Sequence, residues 1–313
     1  PAAQAAATEL APAETVSTAP MEVYVMADTY YSPLDNNDDR PFWGQEQYTR
    51  EDVKTVTFQS SLRNAPSDAW DMSENKDSSI LAWMDNGDLY VAANGKIAPG
   101  SSARRLFSDF RNLEKINFGN CFDTSGVRYM IDMFSGCSSL TSLDLSGFDT
   151  SGVTLMTFMF QDCSSLTSLD LSSFDTSSVE DMAFLFSGCT GLTRLNISSF
   201  STSSAEDISY MFADCSGLTR LNLSNFNTSN VTDMAALFSG CSGLTSLNLR
   251  NFDTSNVTDM AYMFYKCSKL TDLDISSFVT SYGTNMESMF SYCDELTSPV
   301  CSDYRILAAY NDR

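Results

Sequence analysis

Seven cysteines, Cys137, Cys163, Cys189, Cys215, Cys241, Cys267 and Cys293, stand 26 residues apart without a gap. Two phenylalanine series keep the same period, one running from Phe122 to Phe278 and the other from Phe134 to Phe290, and a leucine series runs with them from Leu140 to Leu296. The consensus is F-D-T-S-x-V-x-x-M-x-x-M-F-x-x-C-S-x-L-T-x-L-x-L-S-x, and seven copies span residues 122–303. A degenerate eighth copy precedes them, with Phe107, Phe110, Leu113, Ile116 and Phe118 at the apolar positions and one residue out of register before Phe122. A unit this short cannot bury its own apolar face, so each copy must stack on its neighbours. A solenoid of about eight coils follows.

Within a copy, Leu140-x-x-Leu143-x-Leu145 has leucine-rich-repeat spacing. Leu143 and Leu145 alternate with Ser142 and Asp144, which predicts a short strand with one buried and one exposed face. Val153, Met156, Met159, Phe160 and Cys163 recur at three- and four-residue steps, the spacing of one helical face. Ser177 with Glu180 and Ser203 with Glu206 fit a capping box, and Gly136, Gly188 and Gly240 fit left-handed helix endings. The expected fold is therefore an α/β repeat: a right-handed, leucine-rich-repeat-like solenoid with one short strand and one short helix per coil. At ordinary strand spacing the strand face would extend roughly 35–40 Å.

Outside the array, residues 1–20 are rich in Ala, Pro and Thr and read as a disordered linker. Residues 21–105 lack the repeat and read as an N-terminal cap. Their Asp85-Asn86-Gly87-Asp88 lies between alternating apolar runs, a hairpin signal. The array itself is assigned to 106–303, and 304–313 to a C-terminal tail. No signal peptide and no membrane-spanning run is seen in the sequence.

The formal charge of −22 disfavours nucleic acid and anionic lipid as partners. The absence of histidine removes the commonest acid–base residue and the usual zinc and triad sites. No cluster of acid, base and nucleophile departs from the repeat period, so neither an enzyme nor a cofactor is expected.

The segments LTSLDLSSFDTSSVEDMAFLFSGC and LNLRNFDTSNVTDMAYMFYKCSKLTDLDIS resemble the BspA-type leucine-rich repeat, catalogued also as a mycoplasma-type lipoprotein repeat of unknown function. The resemblance covers roughly residues 50–303. It implies a secreted or surface-attached protein of a host-associated microbe, some members being adhesins toward matrix proteins or cells. It transfers no catalytic residue and no ligand, and neither a lipobox nor a sorting motif accompanies it.

Several residues compete for a binding role. On a helix, the residue between the two Met positions would point outward, so Phe158, Phe184 and Tyr210 on successive coils, with Tyr262 beyond them, form a candidate contact stripe. A partly 3₁₀ segment would instead turn these rings inward. On the strand face, Arg194 and Arg220, with Arg250 one coil on, are the best local candidates for a polar ligand, against a simply solvated sheet. The Cys ladder reads as buried free thiols, because helices packed about 8–10 Å apart are too distant for disulfides. Cys293–Cys301 is left open. The Met series reads as core. Asp123, Asp149, Asp175 and Asp253 read as turn residues that accept local amides. The run Asp35 to Asp39 lacks a full calcium-loop spacing and reads as a solvated loop. The leading expectation is a non-catalytic surface or secreted module that binds an extracellular protein or glycan. The alternative is a spacer that presents another domain.

Overall fold

The computed structural model describes residues 23–26, 43 and 45–313. The linker at 1–20 and the acidic run at 35–39 lie outside the described residues.

Eight coils stack in register. Isolated parallel bridges join Ser102, Tyr129, Leu155, Asp181, Asp207, Asp233, Asp259 and Asn285 in succession. The first step is one residue longer than the rest, which absorbs the slip before Phe122. The first part of the chain supplies β1 (Val23–Val25), β2 (Thr55–Gln59), β3 (Trp70–Asp71), β4 (Ile80–Asp85), β5 (Asp88–Ala93) and β6 (Lys96–Ala98). Antiparallel β4 and β5 form a hairpin closed by Asn86 and Gly87, both at positive φ. A left-handed pair in a two-residue turn suits Asn-Gly because neither residue is strongly penalised there. β2 lies between β5 and β7 (Lys115–Asn117), parallel to both, so the capping sheet continues directly into the first coil.

The strand face continues through β8 (Ser168–Asp170), β9 (Arg194–Asn196), β10 (Ser246–Asn248) and β11 (Asp272–Asp274). It is not continuous. β8 pairs with β9, and β10 with β11, but residues 219–222 make no backbone hydrogen bond to either neighbouring coil.

The helix expected in every coil is absent. Between Val153 and Cys163 the chain makes consecutive turns, with Met156 O accepting from Met159 N, Phe158 O from Gln161 N and Phe160 O from Cys163 N. The intervening amides of Met156, Phe158, Phe160 and Asp162 donate instead to carbonyls of the next coil, at 2.8–3.0 Å. An α-helix returns its amides to the carbonyls four residues back; these amides run across the stack. Phe158 and Asp162 sit at φ 60° and 57°. That alternation of hand excludes a 3₁₀ helix as well. Three-residue turns and helical turns bring the same positions inward, so Val153, Met156, Met159, Phe160 and Cys163 are all buried. The capping boxes fall with the helix: the Ser177 amide donates to the Asp175 carboxylate, and the Glu180 amide to Thr154 O of the preceding coil. Gly136, Gly188 and Gly240 are left-handed as expected, but within turns.

Three ladders hold the coils together. Phe107, Phe134, Phe160, Phe186, Phe212, Phe238, Phe264 and Phe290 form one continuous stack, with centroids 5.4–5.8 Å apart. Buried threonines zip adjacent coils: Thr150 Oγ1 donates to Asp175 O and accepts from Asp175 N, and Thr124, Thr176, Thr202, Thr228 and Thr254 repeat the pattern. Each ladder thiol donates to a phenylalanine carbonyl of the preceding coil, as Cys163 does to Phe134 O at 3.2 Å. Every cysteine is free, Cys301 included. Successive cysteines lie closer than on helices packed about 8–10 Å apart, because the coils stack at ring-stacking distance. The thiols stay free because parallel side chains in register aim at carbonyls rather than at one another, and a disulfide needs convergent Cβ vectors. Burial pushes the Cys189 thiol up to about 12 and the others in the same direction.

Residues 304–313 are more than a tail. α1 (Tyr304–Asn311) is capped by the Asp303 carboxylate and closes the last coil. Ile306 and Tyr310 are buried, and Tyr310 stands edge-on to Phe290 at 5.6 Å.

Candidate binding surfaces

The turns that replace the helix carry one outward position per coil: Asp132, Phe158, Phe184, Tyr210, Ala236, Tyr262 and Ser288, all at positive φ between 52° and 60°. Left-handed backbone costs an ordinary residue roughly 1–2 kcal/mol, and bulky side chains are rare there. Asp, Ala and Ser at the same site show that the turn itself needs no ring. Three consecutive coils have one nonetheless. Phe158 and Phe184 stack at 4.7 Å and 24°, Phe184 and Tyr210 at 4.4 Å and 4°, and all three are half-buried. Both faces of Phe184 are thus covered by its neighbours, and the stack presents ring edges to solvent. Tyr262 does not join it. The buried Ala236 intervenes, and the Tyr262 hydroxyl donates to Glu287 Oε1 at 2.8 Å, which pushes its phenol up.

Beside this stack runs a carboxylate column that period reading did not single out. Asp181, Asp207, Asp233 and Asp259 occupy the bridging position of four successive coils. Each accepts the amide two residues on, at 2.7–2.9 Å. Burial pushes Asp233 up, the Ala235 amide opposes, and Asp207 and Asp259 add to the rise. The signal is present in the sequence as four aspartates 26 residues apart. The turn aspartates behave differently: the Ser177 hydroxyl and amide hold Asp175 below the usual carboxylate range, and Ser255 does the same for Asp253.

On the strand face, Arg194 and Arg220 line one cleft of about 750 Å³. Arg250 is outside it, close enough to Asp274 to hold that carboxyl down with the Ser276 hydroxyl and amide. The cleft lies over residues 219–222, where the backbone ladder is interrupted. Leu195 and Leu221 in its floor are only partly buried, whereas Leu169, Leu247 and Leu273 of the paired coils are buried. A second cleft, of about 510 Å³, opens at the register slip, where Asp123, Asp144, Asp149 and Lys96 surround Phe118, Phe122 and Phe148. Among the described residues, no group of three or more His, Cys, Asp or Glu side chains is arranged to hold a metal ion, and no helix is long and apolar enough to cross a membrane.

A stack of short-strand coils with leucines inside the strand face is a leucine-rich-repeat type of solenoid. Residues 101–220 and 211–308 match the family described as Mycoplasma protein of unknown function, DUF285, and the chain belongs to that family. Among solved structures, a leucine-rich repeat protein from Bacteroides ovatus ATCC 8483 aligns at 16% identity and a TM-score of 0.33, covering 80% of this chain. This chain spans 64% of the length of that protein. A leucine rich cell surface protein from Faecalibacterium prausnitzii A2-165 aligns at 13% identity and a TM-score of 0.27, covering 82% of this chain and 89% of that one. Neither superposition is close enough to transfer a site. No curated protein matches the chain in sequence.

Proposed function

We propose that the chain is a non-catalytic binding module, secreted or displayed at a cell surface, whose partner is an extracellular protein. The observation that supports this is the stack of Phe158, Phe184 and Tyr210, three rings on strained left-handed backbone that the turn does not require. Asp132, Ala236 and Ser288 hold the same left-handed turn without a ring, so contiguous half-buried aromatics there mark a contact surface. Ring edges suit the apolar side chains of a protein partner, whereas a sugar stacked on aromatic residues uses free faces, which Phe184 lacks. The surface location and an adhesin role rest on the resemblance of the repeat to the BspA type.

The test uses Phe158→Asn, Phe184→Asn and Tyr210→Asn together, assayed for binding to a panel of matrix glycoproteins and host cells. Asn tolerates the left-handed conformation, so relief of about 1–2 kcal/mol per site offsets the stacking lost, about 0.5–1.5 kcal/mol per pair. The melting temperature should therefore move little while affinity falls at least about 30-fold, the scale of a desolvated aromatic hot spot. Undiminished binding by the folded triple variant removes the stack from the function. A chain that binds nothing in the panel favours the presenting-spacer reading.

A further inference from the structure

We propose that the cleft over residues 219–222 is a binding site for an acidic saccharide, held by Arg194 and Arg220. The argument does not depend on the aromatic stack, which lies on a different part of the coil.

The charge is the first observation. In a chain of net charge −22, Arg194 and Arg220 occupy the same position of adjacent coils and have no ion pair or hydrogen bond with any described residue. Like charges at neighbouring positions of a strand face repel. Aspartates are plentiful on this face and would have neutralised them. Asp170 lies at one end of the cleft, but its carboxylate accepts from the Ser172 amide and from Asn196 Nδ2 at 2.9 Å, not from a guanidinium. Arg250 likewise makes no ion pair with a described residue, but it lies outside the cleft and acts on Asp274.

The second observation is backbone. Residues 219–222 make no ladder hydrogen bond on either side, so the sheet is open along the floor of the cleft. Backbone groups are ordinarily paired in a sheet. The third is the lining. Besides the two arginines it holds the amides of Asn196, Asn222 and Asn248 and Ser and Thr hydroxyls, over a floor of Leu169, Leu195 and Leu221. Amides and hydroxyls exchange hydrogen bonds with a polyhydroxyl ligand, and a pair of guanidinium groups recognises an oxoanion by charge-assisted, fork-like bonding. Together these groups fit a sugar bearing a carboxylate or a sulfate. An acidic peptide would present the same charge, but would leave the three amides and the hydroxyls facing aliphatic or aromatic side chains. The acidic cleft at the register slip arises from the same kind of interruption, because residues 141–144 also lack ladder bonds, and it serves as an internal control.

The experiment titrates the whole chain, by calorimetry and by amide chemical shifts, with a sulfated oligosaccharide, a uronate oligosaccharide, a neutral oligosaccharide of equal length and a poly-glutamate peptide. The variants are Arg194→Ser with Arg220→Ser, and Arg250→Ser. Serine stands at the position of Arg194 in four other coils, as Ser142, Ser168, Ser246 and Ser298, so the double variant keeps a repeat residue and its fold. The expected result is binding of one or both acidic saccharides, with shifts confined to the cleft-lining residues between Ser168 and Asn248. The neutral sugar and the peptide should bind at least about tenfold more weakly, and the double variant should lose about tenfold to hundredfold in affinity, the worth of hydrogen bonds to charged groups. Arg250→Ser should change affinity less than about twofold. Sulfate against uronate preference identifies which oxoanion the site takes. Preference for the peptide, equal binding of the neutral sugar, or equal loss in Arg250→Ser would each overturn the proposal, the last by showing general charge attraction. No binding by any saccharide would overturn it as well.

Discussion

Two aromatic ladders run along this molecule on the same turns, and they differ in almost everything except their period. The inner one, Phe107 to Phe290, passes through all eight coils, is buried and stacks at 5.4–5.8 Å. The outer one, Phe158 to Tyr210, spans three coils, is half-buried and stacks more tightly, at 4.4–4.7 Å. Stacking distance is therefore a poor guide to structural importance. The inner rings are fully buried and stack through the whole array. The outer rings stack on one another, on a left-handed turn that Asp132, Ala236 and Ser288 keep without a ring. The inner ladder makes the coil; the outer one uses it.

The largest effect expected from this contrast is chemical. The ladder thiols beside the inner rings are buried with their folded pKa values raised, to about 12 for Cys189 and about 11 for Cys293. A thiol raised on folding supports the native state fully below its unfolded value, about 8.5, and loses that support as pH rises toward the folded value. Each such thiol should cost about 1.4 kcal/mol per pH unit in that window. Seven together should make the melting temperature collapse between about pH 9 and 10. Thermal melts across this range check it, and a Cys189→Ala, Cys215→Ala variant should fall less steeply. A flat profile would mean the inner side of the turn is open to solvent.

Next in size is the direct comparison of rings. Phe212→Ala, between Phe186 and Phe238, should cost about 3–5 kcal/mol in urea melts, as for a fully buried aromatic. Phe184→Ala should cost less, about 1–3 kcal/mol, the scale of the two stacked pairs it makes, even though its stacking is tighter. Equal losses would place both ladders in the core and remove the outer one from any binding role.

The smallest effect belongs to the carboxylate column beside the outer rings. Asp233→Asn should stabilise the chain at neutral pH by about 0.5 kcal/mol, since the neutral amide keeps the bond from Ala235 while ending repulsion with Asp207 and Asp259. Asn285 already stands at this position in the last coil, donating to Asp259 Oδ2 at 3.0 Å. Because the Asp233 pKa is raised on folding, the native state is favoured at low pH and loses that advantage as pH rises through it. The gain from Asn should accordingly vanish in acid, and a gain independent of pH would assign it to something other than charge.

The 26-residue period was enough to establish the stack, its eight coils, the slip before Phe122 and the inward residues, because burial depends only on which positions recur. Asp149, Asp175 and Asp253 were legible as turn residues for the same reason. The backbone between them was not. Steps of three and four residues describe consecutive turns as well as a helix, and the two differ only in where the amides go. That destination is the next coil, which no single copy contains. Arg194 and Arg220 could be picked out by residue type, but not the cleft that joins them without Arg250. The pentapeptide Leu-Thr-Arg-Leu-Asn occurs twice, at 192–196 and at 218–222. In the first copy it includes β9, paired to β8; in the second it pairs with nothing, and the cleft opens above it. Identical local sequence has one set of local preferences, so the difference arises from how the flanking coils meet, and only the tertiary structure decides it.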